Sequence, residues 1–255
     1  MTRLSKIPVG LQLYTLREET KQDFIGTLKK VAALGYQAVE FAGYGGIEAK
    51  EMRKVLDDLG LQAISSHVGI DALNGELEQQ IVYSQEIGAS YIVCPWLPGE
   101  KLKEPQAFDA YCATFRTAGE ACNAAGLTFA YHNHAFEFEK VDGQFLLDKL
   151  YASVSSDLMK AELDLYWVQK GGLNPRDYLL SLKGRAPLVH VKDMTGDESG
   201  TFAEVGHGII DFASIFNVAE EAGVRCYIVE QDQCQRSPLE SVQMSIEHLK
   251  SIGIA

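Results

Sequence analysis

The stretch Ala125–Phe138, AGLTFAYHNHAFEF, holds in fourteen residues the pattern that decides the fold. Gly126 follows the apolar end of a segment with helical spacing, where a left-handed residue just past a helix is favoured. Thr128–His132 then reads as a short β-strand, and His132 and His134 follow at its end, with Glu137 three residues further. A helix, a glycine, a strand and a polar strand end form one unit.

Working outward, this unit recurs about eight times. Expected strands are Val9–Tyr14, Ala38–Phe41, Gln62–Ser66, Tyr91–Cys94, Thr128–His132, Ala161–Leu165, Leu188–Val191 and Tyr227–Glu230. Helical spacing fills the intervals near Asp23–Leu34, Glu48–Leu59, Glu76–Ile87, Ala107–Ala125, Phe145–Ala152, Pro175–Leu182, Phe212–Ala222 and Leu239–Ser251. Glycine punctuation repeats after Leu34, Leu59, Ile87 and Ala222. No Pro/Ser-rich linker, charge block or low-complexity segment divides the chain, so residues 1–255 read as a single domain. Eight strand-helix units in 255 residues match an α/β fold of the (β/α)8 TIM barrel type. The alternative, a doubly wound open sheet, lacks a GxGxxG after the first strand.

Composition narrows the function. With 23 Lys and Arg against 35 Asp and Glu, the formal charge is −12, and mean hydropathy is −0.07. An acidic surface repels phosphate backbones, so nucleic acid and acidic membranes are excluded as expected partners. The N-terminal segment does not read as a signal peptide, and no 18-residue apolar run is present to span a bilayer. Five scattered cysteines without a CxxC pair argue against a disulfide framework or a cysteine zinc site and fit a reducing cytoplasm.

A barrel places its chemistry at the C-terminal ends of its strands. Five of the six histidines fall at or just after such ends: His67, His132, His134, His190 and His207. Glu40, Glu137, Asp164 and Glu230 interrupt apolar runs at similar places. A buried carboxylate without a partner costs several kcal/mol. One divalent cation would satisfy several at once, and the expected ligand set is Glu137, Asp164, His190 and Glu230. Plainer readings stand beside it: a hydrogen-bonded rim role for His67, basic partners for Glu137 and Glu230, a cap by Asp164 on the turn into Tyr166-Trp167, and a structural role for His190.

At these residues the chain resembles the sugar phosphate isomerase/epimerase family, the xylose-isomerase-like barrels. The matching stretches are YHNHAFEF (131–138), AELDLYWV (161–168), GRAPLVHVKDM (184–194), EVGHGIIDF (204–212) and IVEQD (228–232), with LQLYTLR (11–17) and SSHVG (65–69) in support. The resemblance implies a Glu-Asp-His-Glu site for one divalent metal ion, commonly manganese, magnesium, cobalt or zinc. Asp164, His190 and Glu230 fit its pattern. Strand five reads Tyr-His-Asn-His where many members have glutamate, so Glu137 is the expected first ligand, with His132 or His134 competing.

Such a site implies a sugar isomerase or epimerase that abstracts a proton through a metal-stabilised enediolate. Glu137 and Glu230 are then both ligands and proton carriers, with His134 and His67 as further proton-transfer candidates. Lys192 would hold a substrate oxygen, or else pair with Glu230 or Asp164. Glu40, His132, Trp167, His207 and Gln231 are expected around the substrate. The alternative is a lyase or hydrolase of keto-sugars or keto-inositols, which begins with the same proton abstraction. A non-catalytic sugar-binding barrel and an abasic-site endonuclease rank lower, the latter because the chain is acidic. No phosphate-cradling loop is visible, and a homodimer is expected only from the family.

Overall fold

The computed structural model describes residues 7–255; the N-terminal leader reading rests partly on residues 1–6, which lie outside it. Eight parallel strands close into a barrel. They are β1 (Val9–Gln12), β2 (Ala38–Phe41), β3 (Gln62–His67), β4 (Tyr91–Cys94), β5 (Thr128–His132), β6 (Lys160–Asp164), β7 (Leu188–Val191) and β8 (Cys226–Val229). Closure is made by β1 on β8, with Val9 opposite Tyr227 and Leu11 opposite Val229.

The expected strands β2, β4, β5 and β7 have the bounds read from the sequence, whereas β1 is shorter. The cause is Gln12, whose side chain accepts from the Tyr14 N–H and turns Leu13–Leu16 into a 3-10 helix. Leu165 likewise leaves β6, because Asp164 caps the helix Leu165–Lys170 by accepting from the Trp167 N–H at 3.0 Å. Each of the five predicted glycines, Gly35, Gly60, Gly88, Gly126 and Gly223, has positive φ. Elements without an expected counterpart include the helices Arg17–Gln22 and Ile70–Gly75 and two hairpins, Lys140–Val141 with Gln144–Phe145 and Asp193–Met194 with Phe202–Ala203.

Successive strand residues point to opposite faces. Ile92, Phe129, Tyr131, Val189, Tyr227 and Val229 join the large core between barrel and helices. Their alternates Val93, Ala130, Leu188, Cys226 and Ile228 form a separate apolar cluster that floors the barrel interior. No described helix is long and apolar enough to cross a membrane. All five cysteines are unpaired thiols.

Candidate active site

The two-residue period that sets the floor also sets the site above it. Ala130 is followed on the same face by His132, Leu188 by His190, and Ile228 by Glu230. Together with Asp164 at the end of β6, these residues bring His132, Asp164, His190 and Glu230 together, each offering one ligand atom within 4.8 Å of the others. All four are at least 95% buried.

The ring of His132 is oriented for a cation. Its Nδ1 lies 3.1 Å from the Pro95 carbonyl, which can only accept, so Nδ1 carries a hydrogen. In the neutral ring, Nε2 then turns a lone pair toward Asp164 Oδ2 at 3.2 Å. An imidazole that donates one N–H to a backbone carbonyl and faces carboxylates with the other nitrogen has the arrangement found at metal sites. Two imidazoles and two carboxylates suit a borderline divalent ion such as zinc, cobalt or manganese.

A second layer lies on the other side of His190. Its Nε2 is 2.7 Å from Glu40 Oε1 and 3.2 Å from Glu162 Oε2, while its Nδ1 is 2.9 Å from Glu230 Oε2. His67 Nε2 completes this layer at 3.0 Å from Glu40 and 2.7 Å from Glu162. Burial works against charge on His67, yet Glu40 and Glu162 raise its pKa to about 10. Against burial, Lys192 and His132 bring Asp164 down to about 2. Lys192, 1% exposed, puts Nζ 2.6 Å from Glu230, 3.0 Å from Asp164 and 2.8 Å from Asp232. Burial pushes the Asp232 carboxyl up, with Lys192 opposing and Glu230 adding to the rise. Five carboxylates (Glu40, Glu162, Asp164, Glu230, Asp232) thus share one lysine and three imidazoles whose second protons are optional. That charge balance favours a bound divalent cation.

The structure brings together three of the four expected ligands and separates the fourth. Glu137 sits apart, its carboxylate accepting from the Tyr131 hydroxyl at 2.6 Å and the His134 N–H at 2.8 Å. Tyr131 alternates to the outer face of β5, where it meets Phe115 at 5.5 Å between ring centroids, and the 3-10 turn Phe136–Phe138 follows it. His132 stands where Glu137 was expected. Burial leads in raising Glu137 to about 7, with its hydrogen bonds opposing.

Lys192 pairs with carboxylates, so its amine is already engaged and not free for a substrate oxygen. Glu40 belongs to the deep layer rather than to a substrate wall. Gln231 is pinned beneath the rim, its N–H on Thr15 Oγ1 and its amide on the Gln233 carbonyl. His207 is exposed and lines a different hollow with Glu204 and Arg236, its ring 6.3 Å from that of His248. His67, His132 and His134 do line the mouth, a cavity of about 420 Å³ shared with Tyr14, Trp96, Glu230 and Asp232. Burial first, then the charges of His132 and Lys192, drives His134 down to about 2, and its Nδ1 is an unpartnered buried atom. Trp167, its ring 5.2 Å from that of His134, has an equally unpartnered Nε1.

Sequence reasoning missed Glu162 and Asp232. Glu162 lies two residues before Asp164 on β6, so strand alternation places it on the interior side; Asp232 lies beyond the end of β8 and is placed by its contact with Lys192.

These features define a parallel β/α barrel with a buried carboxylate-imidazole centre at the C-terminal mouth. The profile of the xylose isomerase-like TIM barrel family matches residues 28–252, and the chain belongs to that family. A sugar phosphate isomerase/epimerase from Parabacteroides distasonis ATCC 8503 is 26% identical, with a TM-score of 0.82 over 100% of this chain and 97% of that one. An inosose dehydratase from Clostridium beijerinckii is 21% identical over 288 residues, covering 97% of this chain and 96% of its own. A probable 3-DHS dehydratase from Bacillus anthracis shares the fold at a TM-score of 0.72 and 12% identity, over 94% of this chain and 98% of its own.

Proposed function

We propose that this chain is a divalent-metal-dependent isomerase or epimerase of an unphosphorylated ketose or related carbohydrate. The observation that carries the reading is the four-donor group of His132, Asp164, His190 and Glu230 beside the mouth cavity. A metal held there would polarise a sugar carbonyl and make the neighbouring carbon acidic. The protein's own groups supply the rest. Asp232, partly exposed in the cavity and raised by burial, takes the proton, and Lys192 holds it in place at 2.8 Å. His134, which lines the cavity, accepts from a sugar hydroxyl or donates to one through its unpartnered Nδ1 according to its tautomer. Tyr14 and Trp96, 43% and 48% exposed at the rim, offer rings to a sugar face.

The preference for an unphosphorylated substrate follows from charge. Among the described residues no Arg or Lys lines the cavity, and the nearby Lys192 already meets three carboxylates. A phosphate dianion would meet the carboxylates of Glu230 and Asp232 in the cavity wall, with no Lys or Arg among its described lining residues to receive it.

Dehydration of a keto-inositol is the second reading, favoured by the likeness to an inosose dehydratase along 97% of the chain. Both reactions begin with proton removal beside a carbonyl and diverge when a leaving hydroxyl is present. Metal-loaded protein incubated with unphosphorylated ketoses and with keto-inositols, followed by mass spectrometry, distinguishes them. A product of unchanged formula supports isomerisation or epimerisation, and loss of water supports the second reading. Absence of turnover on both substrate classes refutes both.

A further inference from the structure

We propose that Glu40, His67, Glu162 and His190 form a second cation site, deeper than the mouth, for a small borderline divalent ion such as zinc or cobalt. These residues come from β2, β3, β6 and β7. Their ligand atoms make a closed four-membered ring in which imidazole nitrogens alternate with carboxylate oxygens, with edges of 3.0, 2.7, 3.2 and 2.7 Å. Three members are wholly buried, and His67 is 10% exposed.

Counting hydrogens shows why this group is incomplete by itself. Each Nε2 carries at most one hydrogen, so two N–H groups face four short N···O contacts. At least two edges bring together atoms with no full hydrogen bond between them. Glu162 reaches the group through Oε2, and its buried Oε1 has no hydrogen-bond partner, so no hydrogen-bond donor offsets this carboxylate's charge from that side. An ion at the centre would replace both hydrogens and meet all four donors at once. Two imidazoles and two carboxylates in a dry setting are the donors of a four-coordinate zinc-type centre.

Glu40 is fixed by outer partners, as metal-binding carboxylates are. Gln12 Nε2 donates to its Oε1 at 2.7 Å, and the Ser65 hydroxyl donates to its Oε2. His190 belongs to both groups, with Nε2 in the deep group and Nδ1 toward Glu230. Filling both sites would make its ring a bridging imidazolate, with every ring N–H proton passing to solvent. The deep ion would fix that ring, so it would hold the upper site's histidine in register.

The test is cobalt binding to chelator-stripped protein, read by metal content and visible absorption, in the wild type and in Glu162→Gln, His67→Asn and Asp164→Asn. The first two variants touch only the deep set and the third only the mouth set. The wild type is expected to hold two equivalents. Glu162→Gln and His67→Asn should each lose one, together with the intense absorption of four-coordinate cobalt, while Asp164→Asn keeps that absorption. Cobalt lost with Glu162→Gln but not with Asp164→Asn supports the deep site even if the mouth proves empty. Cobalt lost only with Asp164→Asn overturns the deep site and leaves the mouth reading standing; no binding overturns both. Anomalous diffraction from cobalt-loaded wild-type crystals decides the matter without a variant: a peak among the four side chains is expected, and none there overturns the proposal.

Discussion

Replacing Lys192 by methionine keeps most of the side chain's volume and removes only the ammonium that sits among Glu230, Asp164 and Asp232 at 2.6, 3.0 and 2.8 Å. At an effective dielectric of 20, each contact is worth about 6 kcal/mol of gross Coulomb attraction. The cost of desolvating the ammonium cancels much of that sum. What the variant exposes is the penalty of leaving buried carboxylates without their cation, about 3–5 kcal/mol for a broken buried pair. For a domain of this size each kcal/mol moves the melting point by about 2–4 °C, so the midpoint should fall by about 6–20 °C in chelator. The assay is thermal and urea unfolding followed by circular dichroism, with and without divalent metal. Metal should restore part of the loss, about 2.7 kcal/mol at a hundredfold excess over Kd, and the variant should bind metal more tightly because a competing cation is gone. A loss below about 1 kcal/mol in chelator, or no recovery with metal, would refute the view that these carboxylates depend on a cation.

Further expectations concern neighbouring features. Glu137 has a folded-state pKa of about 7, above its unfolded value near 4.5, so the folded state binds more protons between these values and stability falls as pH rises through that window. Glu137→Gln should remove that slope, about 3 kcal/mol in all, in urea titrations at pH 5 and pH 8. Asp193 accepts from the N–H groups of Met194, Gly206, Gly208 and Ile210 at 2.8–3.1 Å. Asp193→Ala should cost at least about 2 kcal/mol and speed amide exchange in residues 202–210. A Cβ at Gly119 would lie 2.2 Å from the Leu158 carbonyl oxygen, so Gly119→Ala should lower stability by about 1–3 kcal/mol in a thermal melt.

Legibility in the sequence followed the strength of local signals. Strands such as Tyr91–Cys94 and Leu188–Val191 were readable to the residue because each is a compact apolar run between polar or glycine-rich segments. The shortening of β1 depended on the Gln12 side chain turning back to the Tyr14 N–H, a contact that no periodicity reveals. Asp164, His190 and Glu230 stand out in the sequence because each breaks an apolar run at a strand end, and the structure brings the three together. Glu137 was misplaced because it follows the strand, where the two-residue period no longer says which face a side chain takes. His207, expected around the substrate, lines a different hollow for a similar reason: it lies on the loop whose path is set by Asp193 and its four N–H partners. Alternation along β6 puts Glu162 on the same face as Asp164.

Metal-dependent proton abstraction at the barrel mouth is tested most directly by solvent exchange. Manganese-loaded protein in deuterated water, given an unphosphorylated ketose or keto-inositol, should place deuterium at the carbon beside the carbonyl. That incorporation should disappear with chelator and in Asp164→Asn. Exchange that persists at the wild-type rate in chelator and in Asp164→Asn, or no exchange across both substrate classes, would contradict it.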